Sequence, residues 1–365
     1  MSFFSFIQQA SIEKCHSAAL TWIFSGSNSY LSEEEKRDIL HNWCKVSVCG
    51  KFENVFTEYK NIDILVEYDD LVVAIENKIK ISQHDQQLFR YNQVLKGDFP
   101  GRKVLKVLLS LSGEEPHEKD WMSLTYDKVL ESLRPHAPNS EIIEDYIKNL
   151  EKLVGAKNEF LADHTDFENV FTDGGKPKHL KSNDDCSLSD TASYISDNGL
   201  ETLFQKMFFQ RIIDGIGFQC THTMVSETRG NALIDFKNPA ELPLLTIEGE
   251  AIDLGIQIQG NTVKAQFEVG LDSNGVRKAK SVTKGQVLER AIPRIYEEIK
   301  LAEKGWRLNR PRNPASDYYS FSKKIAFPSG SKGFSDCPLP GSVAAVRDSI
   351  EVCMQLFRDA LENTI

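Results

Sequence analysis

Residues 61–91 constrain the fold of this chain more than any other stretch: NIDILVEYDDLVVAIENKIKISQHDQQLFRY. Two runs rich in β-branched residues, 62–68 and 71–79, flank the acidic pair Asp69 and Asp70. Such runs around a short polar break are typical of two strands joined by a tight turn. The stretch therefore predicts a β-hairpin with a defined register.

A turn centred on the acidic pair would place Asp63 directly opposite Glu76, and Asn61 opposite Lys78. Because strand side chains alternate between faces, Asp63, Glu76 and Lys78 would share one face. The other face would be apolar and would form core, with Ile62, Ile64, Val66, Val73, Ile75 and Ile79.

The predicted neighbours Asp63 and Glu76 are both acidic. Cross-strand partners have Cβ atoms roughly 5 Å apart, and like charges at that distance destabilise a sheet unless a cation lies between them. Magnesium favours octahedral oxygen coordination by one or two carboxylates together with water and phosphate oxygens. The pattern therefore indicates a metal site that can receive a phosphate-bearing substrate.

In its order of residues this stretch resembles the PD-(D/E)xK nuclease superfamily, specifically a bacterial branch with an I-E-N-K-I strand and a following Q-L-x-x-Y helix. The matching positions are Asp63, Glu76, Asn77, Lys78, Gln87 and Tyr91. The resemblance implies that Asp63 and Glu76 bind Mg²⁺, for which Mn²⁺ can substitute, with help from the main-chain carbonyl of Asn77. It also implies that Lys78 orients or helps to deprotonate the attacking water.

The same resemblance implies that Gln87 acts at the site and that Tyr91 lies beside it. We expect Tyr91 and Arg90 to contact nucleic acid. The chain departs from the family pattern where Ile62 replaces the proline of the family name, and where Asn61 replaces a basic residue that is common in the branch.

Residues 3–24 predict an N-terminal helix in which Glu13 shares a stripe with His16, Leu20 and Phe24. An acid on a partly apolar stripe is costly unless it is paired or binds a ligand. The resemblance implies that Glu13 joins the site as a metal ligand, and a solvated helix acid is the alternative. We expect His16 to pack or hydrogen-bond near the helix.

The remaining patterns predict a restriction-endonuclease-like α/β domain, with a mixed sheet flanked by helices, over residues 1–156. Ser32 is the expected N-cap of a second helix, and Ser82 that of the helix carrying Gln87. A helix between two strands predicts a crossover to a parallel neighbour. The later elements are expected at 103–111, 121–133 and 141–154.

Composition excludes several classes of protein. No apolar run in the 365 residues approaches the roughly 20 residues of a membrane span. The start of the chain lacks a basic region and a cleavage site, so we expect no signal peptide and a cytoplasmic protein. Seven cysteines without zinc-type spacing favour free thiols. The net charge of −10 argues against indiscriminate coating of DNA.

A polar stretch, 157–199, is interpreted as a linker or surface excursion, and 200–365 as a second, α+β domain with a DNA- or partner-binding role. Asp235 and Glu248 repeat the 13-residue offset of the first hairpin, but Glu250 stands where a lysine would be needed, so we expect no second active site. Candidates for DNA contact are the basic residues Lys278, Lys280, Arg307, Arg310 and Arg312.

The sequence therefore predicts a metal-dependent nuclease that cuts DNA in preference to RNA. An alternative is a catalytically silent nuclease fold that binds nucleic acid or a partner. A further alternative is a nuclease restrained by its second domain until a partner is sensed, as in bacterial defence. A homodimer or a regulatory protein partner is compatible with each of these alternatives.

Overall fold

The computed structural model describes residues 13–79, 86–171, 189–228, 231–243, 245–269, 282–311, 318–328 and 330–362. The chain divides into two compact units. The first comprises Met1–Ala162 and Ser187–Leu203, and the second comprises Asp163–Cys186 and Phe204–Ile365.

The first unit combines helices with a five-stranded sheet of order β1-β2-β3-β4-β5. Its elements in chain order are α1 (Glu13–Phe24), α2 (Glu33–Cys44), β1 (Phe52–Tyr59), β2 (Ile62–Tyr68), β3 (Leu71–Lys78), α3 (Gln87–Asp98), β4 (Lys103–Ser110), β5 (Met122–Thr125), α4 (Tyr126–Leu133), α5 (Glu141–Ala162) and α6 (Asp190–Asp197). Strands β1, β2 and β3 pair antiparallel, whereas β3, β4 and β5 pair parallel. The predicted mixed sheet flanked by helices is confirmed.

The hairpin of β2 and β3 has the register that the acidic turn predicts. Ile64 pairs with Ile75, and Glu67 pairs with Val72. Continued by one residue, this register sets Asp63 opposite Glu76.

Both faces of the hairpin are buried, although the sequence predicted only one apolar face. Every residue of β3 is buried. Helix α1 packs against β1, β2 and β3. A core cluster on the other side joins Leu65, Val72 and Ala74 to Leu88 and Tyr91 of α3. The acidic residues therefore lie at one end of a sheet that is covered on both faces, and not on a solvent-exposed face.

Helix α2 starts as predicted. The Ser32 hydroxyl accepts the N–H of Glu35, and the Glu35 carboxylate accepts the N–H of Ser32, which is a capping box. The predicted N-cap Ser82 and residues 3–12 of the first helix lie outside the described residues. Helix α3 is described from Gln87, and its predicted stripe of Leu88, Tyr91 and Leu95 is buried.

Part of the stretch interpreted as a polar linker has regular structure. Helix α5 extends to Ala162, two 3-10 turns follow at His164–Asp166 and Glu168–Phe171, and α6 covers Asp190–Asp197. Buried residues of α5, among them Lys157 and Phe160, explain why the helix continues beyond the predicted boundary. Residues 172–188, with the basic cluster of Lys176, Lys178, His179 and Lys181, lie outside the described residues.

The second unit is built on an antiparallel sheet of order β11-β12-β10-β9-β7-β6, with β8 paired to β9. Its elements are α7 (Glu201–Ile216), β6 (Cys220–Thr228), β7 (Asn231–Pro239), β8 (Leu245–Ile247), β9 (Glu250–Gln259), β10 (Thr262–Val269), α8 (Val282–Glu298), β11 (Arg307–Asn309), β12 (Tyr318–Lys324) and α9 (Leu339–Glu362). Glu248 lies in the turn before β9 and pairs with Arg290. None of the described helices combines the length and apolarity that crossing a membrane requires.

Candidate active site

Glu76 is the most deeply enclosed acid of the hairpin, with 1% of its surface exposed. Its Oε1 accepts hydrogen bonds from Lys78 Nζ at 2.7 Å and from Gln87 Nε2 at 2.8 Å. Its Oε2 is also buried, and no donor in the described part of the chain reaches it. A buried carboxylate oxygen without a donor carries an electrostatic cost that a cation would relieve.

Asp63 completes the acidic pair. Its Oδ2 accepts the main-chain N–H of Asn77 at 2.8 Å, and its carboxyl interacts directly with that of Glu76. Burial raises the pKa of Asp63, and burial together with the Asp63 charge raises the pKa of Glu76 to about 8. The pair therefore retains a proton near neutral pH, as expected for two carboxyls that share one site.

Lys78 is buried beside the pair. Burial lowers its pKa, but the negative charges of Glu76, Glu13 and Asp63 together outweigh burial, so that the net shift is upward. The ammonium is therefore charged at neutral pH. This favours the orienting role over the alternative in which Lys78 takes a proton from water.

Helix α1 brings Glu13 to the same place. Its Oε1 accepts the main-chain N–H of Ile79 at 2.8 Å, directly after Lys78. Its charge also acts on Asp63 and Lys78. The structure thus brings Glu13, Asp63, Glu76 and Lys78 together.

The side chain of Asn77 has a role that sequence reasoning missed. It is fully buried on the face opposite Glu76. Its Nδ2 donates to the main-chain oxygen of Glu13 at 3.0 Å and to Ser17 Oγ at 3.1 Å, and its Oδ1 accepts the Tyr126 hydroxyl at 2.7 Å. The sequence feature that indicated this role is a polar residue at a position of the strand where an apolar side chain is expected. A polar side chain buried at such a position must find hydrogen-bond partners.

Gln87 and Tyr91 form a hydrogen-bonded chain beside the acids. Gln87 Nε2 donates to Tyr91 Oη at 2.8 Å as well as to Glu76, and the Tyr91 hydroxyl donates to the main-chain oxygen of Asn61 at 2.6 Å. Tyr91 is buried. Its hydroxyl is used in these internal hydrogen bonds and does not lie at a surface where it would contact nucleic acid. Arg90 is exposed on the same helix.

His16 packs as expected. Its Nδ1 lies 3.0 Å from Tyr146 Oη, and its ring meets that of Tyr126 edge-on. Glu58 makes an exposed ion pair with Lys14 at 2.8 Å.

The basic candidates of the second unit are partly described. Arg307 and Arg310 are exposed. Lys278, Lys280 and Arg312 lie outside the described residues.

The donor set of the first unit suits magnesium. No group of three or more His, Cys, Asp or Glu side chains within the described ranges is arranged to hold a metal ion. Magnesium, however, is commonly held by only one or two carboxylates, with water and substrate oxygens completing its shell. Asp63 and Glu76 supply two carboxyls in direct contact, and Glu76 Oε2 has no competing donor among the described residues.

One family matches this chain. The family model of the PD-(D/E)XK nuclease superfamily covers residues 1–163, which include every residue of the site described above. No curated protein matches the chain significantly, and no solved structure does so either. Residues 1–163 belong to the PD-(D/E)XK nuclease superfamily.

Proposed function

We propose that the first unit is a magnesium-dependent deoxyribonuclease that hydrolyses phosphodiester bonds, with Mn²⁺ able to replace Mg²⁺. The observation that carries this proposal is the environment of Glu76. Its buried carboxyl touches Asp63, is paired with Lys78, and has one oxygen without a donor in the described part of the chain. Strongly perturbed acids in such a cluster are typical of catalytic sites.

Asp63 and Glu76 would hold the metal, with the main-chain carbonyl of Asn77 and the Glu13 carboxylate as further ligands. When bound, magnesium supplies Lewis acidity to the scissile phosphate and increases the acidity of water at the site. The carboxyl proton that the pair retains near neutral pH must leave before both acids act as ligands.

Lys78 positions the attacking water and stabilises negative charge on the phosphate oxygens. A fixed ammonium in a site shielded from solvent is effective where charge develops in the transition state. The water oxygen attacks phosphorus and loses one proton to solvent, the P–O bond to the leaving oxygen breaks, and that oxygen takes a proton from solvent. Gln87 keeps the Glu76 carboxylate in place through its hydrogen bond, and Tyr91 holds Gln87.

DNA is proposed as the substrate in preference to RNA, with the exposed Arg90 as a contact to the phosphate backbone. We also propose that the protein belongs to the bacterial branch of the superfamily and is cytoplasmic. Its proposed role is in defence or DNA processing. In a defence role, a homodimer contact or a regulatory protein would restrain the nuclease until it is needed.

The experiment that tests this function is cleavage of supercoiled and linear DNA with Mg²⁺, Mn²⁺ or EDTA. The wild type is compared with Asp63→Ala and Lys78→Ala. We expect metal-dependent cutting that both variants lose, and the two DNA forms separate endonuclease from exonuclease action. A wild type that never cuts, while magnesium still binds in an Asp63-dependent way, would favour a partner-gated enzyme. Absence of both cutting and magnesium binding would favour the silent binding module.

A further inference from the structure

The sheet of the second unit has one apolar and one polar face. Helices α8 and α9 cover the apolar face: the Tyr296 ring stacks on Phe321 at 5.6 Å, and the Phe357 ring lies 5.5 Å from Phe267. The opposite face carries polar or charged residues on five strands. Packing of the hydrophobic core therefore does not account for the polar and charged residues on this face.

One row of this polar face runs across the sheet from β7 to β11. Asp235 pairs with Gln257, Gln257 with Lys264, Lys264 with Ser322, and Ser322 with Arg307. Directly paired residues of antiparallel strands project on the same side. The row is therefore acidic at one end and basic at the other.

An amide separates the acid of this row from its first cation. Gln257 Nε2 donates to Asp235 Oδ1 at 3.0 Å, and Gln257 Oε1 accepts from Lys264 Nζ at 2.8 Å. Lys264 Nζ also donates to Gln259 Oε1 at 2.9 Å. Since an ammonium has three N–H donors, one donor of Lys264 remains for another acceptor.

Three cations surround Ser322. Lys264 and Arg307 lie directly opposite it on its two sides, and Lys324 follows two residues along the same strand. None of these cations makes an ion pair with a carboxylate of the described residues. The group of Lys264, Arg307, Lys324 and Ser322 is called the Ser322 cluster below.

Like charges that share a sheet face destabilise it, and diagonal neighbours are separated by only about 7–8 Å. The short side chain of Ser322 lies among three longer ones, and its hydroxyl donates to Asn309 Oδ1 at 3.2 Å. Arginine offers a planar fork that matches phosphate bidentately, and lysine adds a compact charge. An anion seated over Ser322 would offset the repulsion and use the remaining donor of Lys264.

We propose that the Ser322 cluster is a phosphate-binding site, which holds a phosphate group of a nucleic acid or of a free nucleotide. The site shares no residue with the acids of the nuclease unit, and it works without a metal ion. It gives a role to the basic end of the row, where the cations form no ion pair with a carboxylate of the described residues, while Lys237 on the same face pairs with Glu268 at 2.8 Å. The charge of Asp235 acts on Lys264 across the intervening Gln257 amide.

The test is binding by the full-length chain in EDTA, so that metal-dependent cutting is absent. The probes are a fluorescent oligothymidylate, followed by anisotropy, and thymidine monophosphate as a competitor. The main variant is the double substitution Arg307→Gln with Lys324→Gln, because both side chains are exposed and their loss leaves the core intact. The matched control is Arg294→Gln, an exposed arginine of α8 that pairs with Glu298.

We expect the double variant to bind more weakly and the control to bind as the wild type does. On a single strand each lost phosphate contact should reduce the logarithmic salt slope by about 0.7, so the double variant should lose about 1.4. Competition by the mononucleotide at concentrations similar to those of the polymer would identify a free nucleotide as the ligand. Much weaker competition would identify a nucleic acid backbone.

The proposal is overturned if the double variant binds both probes as tightly as Arg294→Gln does. Lys264→Gln tests the half-buried cation of the cluster and should also weaken binding. Circular dichroism would confirm that this variant is folded. Added to both the double variant and Arg294→Gln, Asp63→Ala should abolish cleavage and preserve the difference in binding between the two. Failure of the nuclease proposal and failure of the phosphate site therefore give different results.

Discussion

Lys78 Nζ lies 2.7 Å from Glu76 Oε1, and both side chains are almost completely buried. An isolated buried charge is expensive, and the ammonium partly offsets the burial and the Asp63 charge that raise the pKa of Glu76. Neighbouring Asp63 and Glu13 add negative charge, and the buried Lys78 ammonium interacts with all three acids. This relationship underlies the first prediction.

Replacing Lys78 should remove the charge that stabilises the transition state. We expect Lys78→Ala to reduce the cleavage rate by about 10²–10³-fold, the usual effect of losing one preorganised electrostatic donor. Lys78→Arg should retain part of the activity because it keeps the charge. The matched control is Lys128→Ala, which removes a half-buried lysine that pairs with Glu131 away from the site. Equal activity of Lys78→Ala and the control would contradict the assigned role.

Magnesium binding should depend on pH because Glu76 has a pKa of about 8. Below that pH the metal competes with the retained proton, so apparent affinity should rise with pH, by up to about tenfold per unit, and level off above about 8. Calorimetry without nucleic acid, in buffers of different ionisation enthalpy, would measure both affinity and proton release. Affinity that is constant from about pH 6 to about pH 8 would show that the acids are already ionised.

Gln87→Leu should shift that pH dependence. The substitution removes a hydrogen bond to the charged form of Glu76, so the carboxyl pKa should rise further. The pH at which affinity levels off should therefore move upward, and the rate at neutral pH should fall more than the rate at high pH. A uniform loss at every pH would instead indicate that Gln87 only supports the fold.

Asn77→Ala should destabilise the first unit. It breaks the contacts of the amide with α1 and leaves the buried Tyr126 hydroxyl without its acceptor. An unsatisfied buried group costs about 1–3 kcal/mol, and with the other lost hydrogen bonds we expect about 3 kcal/mol. Urea unfolding would measure this change, with the exposed Asn158→Ala as control. A change as small as that of the control would mean that α1 is held by other contacts.

His164 should make the second unit sensitive to acid. Burial lowers the pKa of its imidazole, whose Nε2 lies 2.9 Å from the main-chain oxygen of Cys337. Because the folded state favours the neutral ring, its contribution to stability is present above the unfolded pKa of about 6.5. That contribution is lost as pH falls through the lower, folded pKa.

Melting temperature measured against pH would test this expectation, with His164→Gln as the comparison. The wild type should lose stability below about pH 6.5 more steeply than the variant, whose side chain does not titrate there. Parallel curves for the two proteins would show that other groups cause any loss in acid.

The sequence alone determined the local features of this protein. Alternating side chains and the acidic turn predicted the register of β2 and β3, because pairing around a tight turn depends only on neighbouring residues. The capping box of Ser32 and Glu35 is local for the same reason. The motif from Asp63 to Tyr91 also indicated the superfamily that the family comparison supports.

Only the tertiary structure decided how these parts meet. The Glu13 carboxylate accepts the N–H of Ile79 across 66 residues of chain, and the Asn77 side chain donates to the main-chain oxygen of Glu13 in the same helix. The burial that raises the pKa of Glu76 comes from packing of α3 over the sheet, and the Ser322 cluster exists only because β10, β11 and β12 lie side by side. Side-chain proximity between distant segments depends on how whole elements pack, and local patterns in a single sequence carry no information about that packing.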